Sequence, residues 1–575
     1  MSGPGESLQD AARILPMASP SHVPDDPESI EWDVVVVGTG MGGATAGYAL
    51  AKAGRSVLFL EKGRFLHEEV DVHGNGSVKV SPERIAQLED RLDDRPAVRM
   101  ARGRWPLRLQ GTTSFGTLEF FAPLGCGTGG STALYAAALE RLAPADFRPK
   151  ENYPDVDGST LPEAWPISYE DLRPYYRSAE ELFRVRGTRD PLSQEPDSCL
   201  LEPPPLSERD QFFLDSFTNI GLHPYRVHVG CEFVEGCDGC PARLCHRGCK
   251  SDSARICLVP ALEHYGAKII TQCDVTTFEA EGSDLKRVRG TWNGREVSIR
   301  SKIVVLAAGA LMSPVLLLNS KSSEWPNGLA NRSGLVGRNL MLHASDFMVI
   351  GSTKRLSIEG PSKSLAMNDF YFAGGEKLGT IQAVGATSRV GTIMQYIRDT
   401  AQRDSTWWKK LASPYPTWYR KLSSPIIRLI ALAAYSKFKS GAVWASIVED
   451  LPYHENRVIA DARATNGRRF EYRYPEELGK RVRSLRERLA KALGPHRLLV
   501  LSGNDNINFG HACGTCRFGD DPETSVLNRN NRAHDVSNLY VVDASFFPSS
   551  GGTNPSLTIA ANALRVAEAI DEHLT

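Results

Sequence analysis

The stretch Asp33-Val34-Val35-Val36-Val37-Gly38-Thr39-Gly40-Met41-Gly42-Gly43 limits the fold of this chain more than any other. Four β-branched residues in a row suit a parallel strand covered on both faces, since a half-exposed strand would alternate with polar residues. Gly38, Gly40 and Gly43 follow in GxGxxG spacing, and Ala44 to Ala53 reads as a helix. Such glycines let the backbone turn tightly and approach a pyrophosphate at the helix N-terminus, where N–H groups and the dipole favour an anion. A second strand, Ser56 to Leu60, ends in Glu61, an acid placed to accept ribose hydroxyls. The pattern predicts an α/β chain with a Rossmann-like dinucleotide grip near its N-terminus.

A chain of 575 residues can bury a large core and is expected to form two domains. Its 41% apolar content and 50 glycines fit a loop-rich enzyme better than a fibrous or disordered chain. A formal net charge of -1 supplies no basic excess to neutralise phosphates, so nucleic acid is not an expected partner. Eleven cysteines in so long a chain are no secreted disulfide framework, and nothing at the N-terminus directs export, so a cytoplasmic location is expected. Residues 1–31 are acidic and rich in Pro, Ser and Asp, and read as a mobile tail. The longest apolar run, Ile303 to Leu318, is broken by Gly309 and Pro314 into a strand, a turn and a helix start.

Nicotinamide and flavin dinucleotides share the GxGxxG grip, and other segments must choose between them. Gly125 to Tyr135 is a second glycine-rich loop, with Gly129, Gly130 and Ser131 at its centre. An extended isoalloxazine needs flat backbone along its face, whereas a nicotinamide has little use for it. Val304 to Ala308 is a buried strand entering a small-residue turn at Gly309, able to pass the nucleotide again. FAD is the favoured cofactor.

With these pieces assembled, the chain resembles the glucose-methanol-choline (GMC) flavoprotein oxidoreductases over nearly its whole length after residue 32. The resemblance is carried by Gly125 to Ala136, with Tyr135 where many members have Asn or His. It is carried also by Gly309 to Ser320, with Lys321 departing from the usual Gly, and by Trp165 to Tyr169 with Leu172 to Tyr176 and Glu180. The C-terminal wording and Gly360 to Phe372 are most similar to the bacterial sugar and polyol dehydrogenase branch.

This resemblance implies a Rossmann-like FAD-binding domain from residues 32–160, 250–345 and 500–575. It is interleaved with an α+β substrate domain on an antiparallel sheet from 161–249 and 346–499. It implies oxidation of a CH–OH group, with hydride leaving for flavin N5 and the hydroxyl proton going to a base. Imidazole suits that base because its ordinary pKa, about 6.5, lies near working pH. The family's pair maps onto His511, before a glycine-rich turn, and Asn554, before Pro555 and the helix Ser556 to Ala567. Proline favours the first helical position, and that helix would aim its positive end at the flavin. The alternative reading makes Asn554 the helix N-cap, its side chain occupied by backbone N–H groups. Asp543 and Ala544, after the strand Leu539 to Val542, resemble cofactor-positioning residues, and Gly266 to Val275 returns a strand to the adenine side. His343 reads as structural. No His lies near residues 132–135, so the FAD is expected to be non-covalent. Two other functions fit the fold: a flavin-retaining lyase, and an electron-transfer subunit with an iron–sulfur cluster. The alcohol itself and the electron acceptor, oxygen or a redox protein, are open.

Two segments stand outside this scheme. Cys237, Cys240, Cys245 and Cys249, with Cys231 upstream, gather five of the eleven cysteines. Three readings compete: packed or paired thiols, an iron–sulfur cluster like that of some sugar dehydrogenases, and structural zinc. Residues 407–439 hold seven Lys/Arg and no acid among Trp407, Trp408, Trp418, Tyr419 and Tyr435, which suits a lid or a peripheral contact with an anionic membrane.

Overall fold

The structure is a computed structural model that describes residues 22–66, 70–71, 79–80, 95–193, 195, 198–237, 239–352, 354, 356–361, 363–385, 425, 428–429, 432, 441–464, 467–494, 496–503 and 506–575. The basic aromatic stretch 407–439 lies outside them apart from four positions. Among the described residues no helix is long and apolar enough to cross a membrane.

The valine run forms strand β1 (Glu31–Val37), followed by helix α1 (Met41–Lys52) and strand β2 (Val57–Leu60). Val34 to Val37 and Val57 to Leu60 are buried, as a parallel strand covered on both faces requires. Strand β3 (Lys268–Ile270) pairs in parallel with β2, so the chain does return to this edge. Strands β4 (Cys273–Glu281), β5 (Asp284–Trp292) and β6 (Arg295–Leu306) form an antiparallel meander. The second half of β6 pairs in parallel with β1 on one side and with β7 (Leu539–Val541) on the other. The order β3-β2-β1-β6-β7 therefore brings Glu31–Val37 and Leu539–Val541 into one sheet. Helix α2 (Ser556–Leu574) packs beside α1 over it.

The second layer is a six-stranded antiparallel sheet in the order 497–500, 347–351, 442–448, 379–383, 365–367 and 225–226. Phe213 and Phe217 from the helix Glu208–Asn219 and Leu478, Val482, Leu485 and Leu489 from Glu476–Ala492 bury against Trp444 on its face.

Two segments cross the expected domain boundaries. The helix Tyr169–Leu182 packs into the nucleotide-side core through Tyr169, Leu172 and Tyr176, and Tyr176 Oη lies 2.7 Å from Thr558 Oγ1 of α2. Residues 468–472 pair in parallel with 109–113, so one small sheet is shared by both sides. Within the expected tail, Glu28 accepts a hydrogen bond from the Ser298 backbone and so is tied to β6.

Candidate active site

The dinucleotide cradle is built by close backbone contact. A Cβ on Gly38 would sit 2.4 Å from the Ala307 carbonyl oxygen, one on Gly42 2.0 Å from that of Val542, and one on Gly43 2.1 Å from that of Gly38. Gly38 also has φ +97°, which a side chain disfavours. Gly40 is different: its Cβ direction is open, and it begins α1 with no side-chain cap. An uncapped helix N-terminus beside open space fits an anionic pyrophosphate. The second glycine-rich loop closes over it, with Gly130 against the Gly40 backbone and the Gly129 N–H donating to Thr39 Oγ1. Ser131 Oγ accepts from the Gly125 N–H and holds that loop's bend.

Glu61 stands at the end of β2 as expected, but its carboxylate serves the loops. It accepts from the Thr39 N–H and hydroxyl, the Gly63 N–H and the Gly127 N–H. Four donors fill its four acceptor positions, so a ribose hydroxyl would have to displace one of them. Burial pushes its pKa up and these donors pull it back. Asp543 is similarly occupied, accepting from the Gly309 and Ser545 N–H groups and the Ser313 and Ser545 hydroxyls. It joins the turn after β6 to the turn after β7, and Ala308 donates its N–H to the same Ser313 hydroxyl. The Ala544 carbonyl accepts from Gly514, which ties this turn to the His511 segment. Val275 is buried in β4.

His511 ends a short turn, Phe509–His511, opened by the Asn508 side chain accepting from the Gly510 N–H at 3.0 Å. Met341 pairs with Cys513 and Ala344 with Ile507, so the two segments run antiparallel and His343 meets His511. Their Nδ1 atoms are 3.0 Å apart. On its far side His343 Nε2 lies 2.8 Å from the Gly551 carbonyl and 3.3 Å from that of Ser550. A carbonyl can only accept, so this Nε2 carries hydrogen. Burial holds His343 below its usual pKa and the ring neutral, which leaves its Nδ1 as an acceptor. His511 Nδ1 must therefore donate, and the lone pair of His511 rests on Nε2. Burial lowers the His511 pKa well below the ordinary value, and the neighbouring His343 ring and Lys363 ammonium act in the same direction. The arrangement is an unprotonated imidazole held in one tautomer, which is what a general base requires.

His343 was expected to be structural, yet it is the group that sets the tautomer of His511. Nothing in its local sequence marks this, because its partner lies far along the chain and its acceptors further still. The loop supplying those acceptors is itself pinned. The Gly551 N–H donates to Glu449, the Gly552 N–H to the Tyr371 hydroxyl, and Ser550 Oγ to the Asp450 carbonyl. Asn554 follows directly. The α2 cap is Pro555, with no side-chain bond to the helix end, so Asn554 does not cap it. The Asn554 amide oxygen is buried without a protein partner. A buried unsatisfied acceptor costs about 1–3 kcal/mol, a cost that a ligand donor removes. Lys363 adds a second unforeseen group: its ammonium donates to the Gln382 side chain and the Ala383 carbonyl, and burial pushes its pKa down to about 8.

Residues 111–345 and 496–563 match family profiles described as GMC oxidoreductase, together just over half of the chain. The chain belongs to the GMC oxidoreductase family. As a GMC oxidoreductase it is a flavin-dependent enzyme acting on CH–OH donors. Residues 36–81 also match an NAD(P)-binding Rossmann-like domain. The chain is 27% identical to paromamine 6'-oxidase of Streptomyces fradiae, over 94% of this chain and 91% of the relative. It is 27% identical to 2-methyl-1,2-propanediol dehydrogenase of Mycolicibacterium austroafricanum (94% and 96%) and 26% to the fructose dehydrogenase large subunit of Gluconobacter japonicus (94% and 98%). Among solved structures, pyridoxine 4-oxidase from Mesorbium loti superposes with a TM-score of 0.61 at 18% identity, covering 94% of this chain and all of that one, which supports the fold.

The cysteine loop of this GMC oxidoreductase lies beside the second glycine-rich loop. None of its five thiols is in a disulfide, and the Cys237 and Cys249 sulfurs lie 3.1 Å apart, Cys245 and Cys249 3.5 Å, and Cys231 and Cys237 3.8 Å. The iron–sulfur reading of Cys237, Cys240, Cys245 and Cys249 finds no support in this geometry. Among the described residues only Cys231, Cys237 and Cys249 hold their sulfurs within 4.8 Å of one another, a set that omits two of the four expected ligands.

Proposed function

We propose that this chain oxidises the CH–OH group of a sugar-like or polyol alcohol to the carbonyl, with His511 as the base. The observation that carries the proposal is the pair of imidazoles ordered by the Gly551 carbonyl, which presents a lone pair on His511 Nε2. FAD, bound without a covalent link, would supply the hydride acceptor at its N5. Gly38, Gly40, Gly43, Gly129 and Gly130 would hold its pyrophosphate side, and the turns at Ala308–Gly309 and Asp543–Ala544 its middle. His511 takes the hydroxyl proton as the C–H bond breaks. His343 keeps the receiving nitrogen unprotonated before each turnover. Asn554 hydrogen-bonds the substrate oxygen and fixes its approach, and the pinned loop 549–554 holds that amide against rotation. Lys363 adds positive charge beside the site, which favours an oxygen-rich substrate over a plain alkyl alcohol. The names of three relatives, which act on paromamine, fructose and a propanediol, point the same way.

The test is an anaerobic absorbance spectrum followed by addition of hexoses, amino sugars and short polyols. Flavin bands that bleach with one of these classes are the expected result. Folded protein without flavin bands refutes the cofactor reading, and a bound flavin that no alcohol reduces refutes the dehydrogenase reading in favour of a lyase.

A further inference from the structure

The six-stranded antiparallel sheet has two faces of opposite character. Side chains alternate along a strand, and residues paired across strands share a face. Leu365, Met367, Ile381, Ala383 and Trp444 lie on the face that buries against Phe213 and Phe217. Tyr225, Ala366 and Gln382 stand in one row on the other face, through the pairs Ala366–Tyr225 and Ala366–Gln382. Thr380, two positions before Gln382, shares that face, opposite Ile447. Asn368 joins them, because its Nδ2 lies 3.2 Å from the Tyr225 hydroxyl. This second face turns toward the imidazole pair. The Thr380 N–H donates to the Gly552 carbonyl, one residue beyond the carbonyl that orders His343 and two before Asn554. The Lys363 ammonium, which acts on His511, donates to the Gln382 side chain.

Three side chains on this face keep a buried polar atom with no partner among the described residues: Gln382 Nε2, Thr380 Oγ1 and Asn368 Oδ1. Chemistry fixes how the two amides are turned. An ammonium only donates, so Gln382 gives its oxygen to Lys363 and leaves its NH2 free. Asp190 accepts from the Asn368 NH2 at 2.9 Å, which leaves the Asn368 oxygen free. Burial raises the Asp190 pKa, and the bonds from Asn368 and the Leu192 N–H pull it back. Buried orphans of this kind are rare, and each is a cost that a bound ligand removes. Gln382 offers a donor, Asn368 an acceptor and Thr380 either, while the Asn554 oxygen adds a second acceptor.

A hydroxyl donates and accepts at once, so a molecule with several of them answers this mixed set. A carboxylate brings no donor for Asn368 or Asn554. A substrate ammonium would meet the charge of Lys363, and the carboxylates of this face are already engaged. Glu140 pairs with His228 at 2.8 Å, and Asp190 holds Asn368 and the Leu192 N–H. Resting on the oxidation proposed above, we infer that Gln382, Thr380 and Asn368 bind the further hydroxyls of a neutral polyol whose reacting hydroxyl lies at His511. A plain alcohol fills the reaction position and leaves all three atoms unpaired.

Holoenzyme is assayed by anaerobic flavin reduction with glycerol, 1,2-propanediol and 1-propanol, which lose one hydroxyl at a time. Sorbitol, its 1-amino-1-deoxy analogue and gluconate form a second series that varies only the charge at one end. For each hydroxyl removed, kcat/KM should fall at least about tenfold, and sorbitol should exceed both charged analogues by a similar factor. Thr380→Val and Gln382→Glu keep the shape while removing a hydroxyl or a donor. Each should lower kcat/KM for glycerol about tenfold, chiefly through KM, and narrow its lead over 1-propanol, with FAD content unchanged. Reduction by 1-propanol as efficient as by glycerol, or a preference for either charged analogue, overturns the assignment, as does an unchanged glycerol-to-1-propanol ratio in both variants. Compounds that perturb the flavin bands without bleaching them refute the oxidation alone, and the same order is then read from their binding constants. Neither bleaching nor perturbation by any of them overturns both. The two series on the unaltered enzyme decide the matter even where a variant fails to fold.

Discussion

At the scale of single residues the site depends on which nitrogen carries a proton. His511→Asn removes the base while keeping a polar side chain, and should lower kcat by about 10²–10⁴ with FAD content unchanged, as read by stopped-flow reduction of the flavin. Both imidazoles are held below their ordinary pKa by burial, so the free base persists below about pH 6.5 and the acid limb of kcat/KM should appear below that value. The stability consequence has a definite sign. An unfolded chain takes up protons near pH 6.5 that the native histidines refuse, so their contribution is full above that pH and is lost as pH falls through it. Thermal melts at about pH 7.5 and 5.5 should show this loss, and His343→Gln should shrink the difference. His511 and Asn554 were singled out in the sequence by the family resemblance of the segments around them. His343 was not, since its role depends on the Gly551 carbonyl, a contact between distant segments.

At the scale of elements the glycines of the first loop separate by what surrounds them. Gly42→Ala would press a methyl into the Val542 carbonyl and should destabilise the fold by about 1–3 kcal/mol in urea titration. Gly40→Ala meets no protein atom within 4 Å. It should leave stability within about 0.5 kcal/mol of the parent while lowering retained FAD. Equal damage to stability and FAD content by both variants would refute the assignment of Gly40 to the pyrophosphate. The GxGxxG spacing marked the turn but could not divide these roles, because which glycine faces β7 and which faces open space follows from the packing of α1. The same limit applies to Glu61 and Asp543. Their strand-end positions are plain in the sequence, but the donors that fill them come from loops elsewhere in the chain.

At the scale of the whole molecule, one buried triad joins the two sides. Lys377 lies between Asp146 and Glu449, all fully buried, with Tyr371 donating to Asp146 and Tyr153 to Glu449. Glu449 also takes the Gly551 N–H, so the triad anchors the loop that orders His343. Lys377→Met leaves two buried carboxylates uncompensated and should cost about 3–5 kcal/mol in equilibrium unfolding. A loss below about 1 kcal/mol would show that the triad does not couple the layers. The sequence by itself determined the local parts: the β1–α1–β2 grip, the glycine-rich turns, and the residues available for proton transfer. The first two follow from periodicity or backbone freedom within a few positions; the residues for proton transfer are what the family resemblance implies. Only the tertiary structure decided the tautomer of His511, the freedom of the Asn554 amide, the separation of the cysteine sulfurs and the placement of Tyr169–Leu182 in the nucleotide core. Those properties rest on distances between segments far apart in the chain, which spacing along the sequence does not encode.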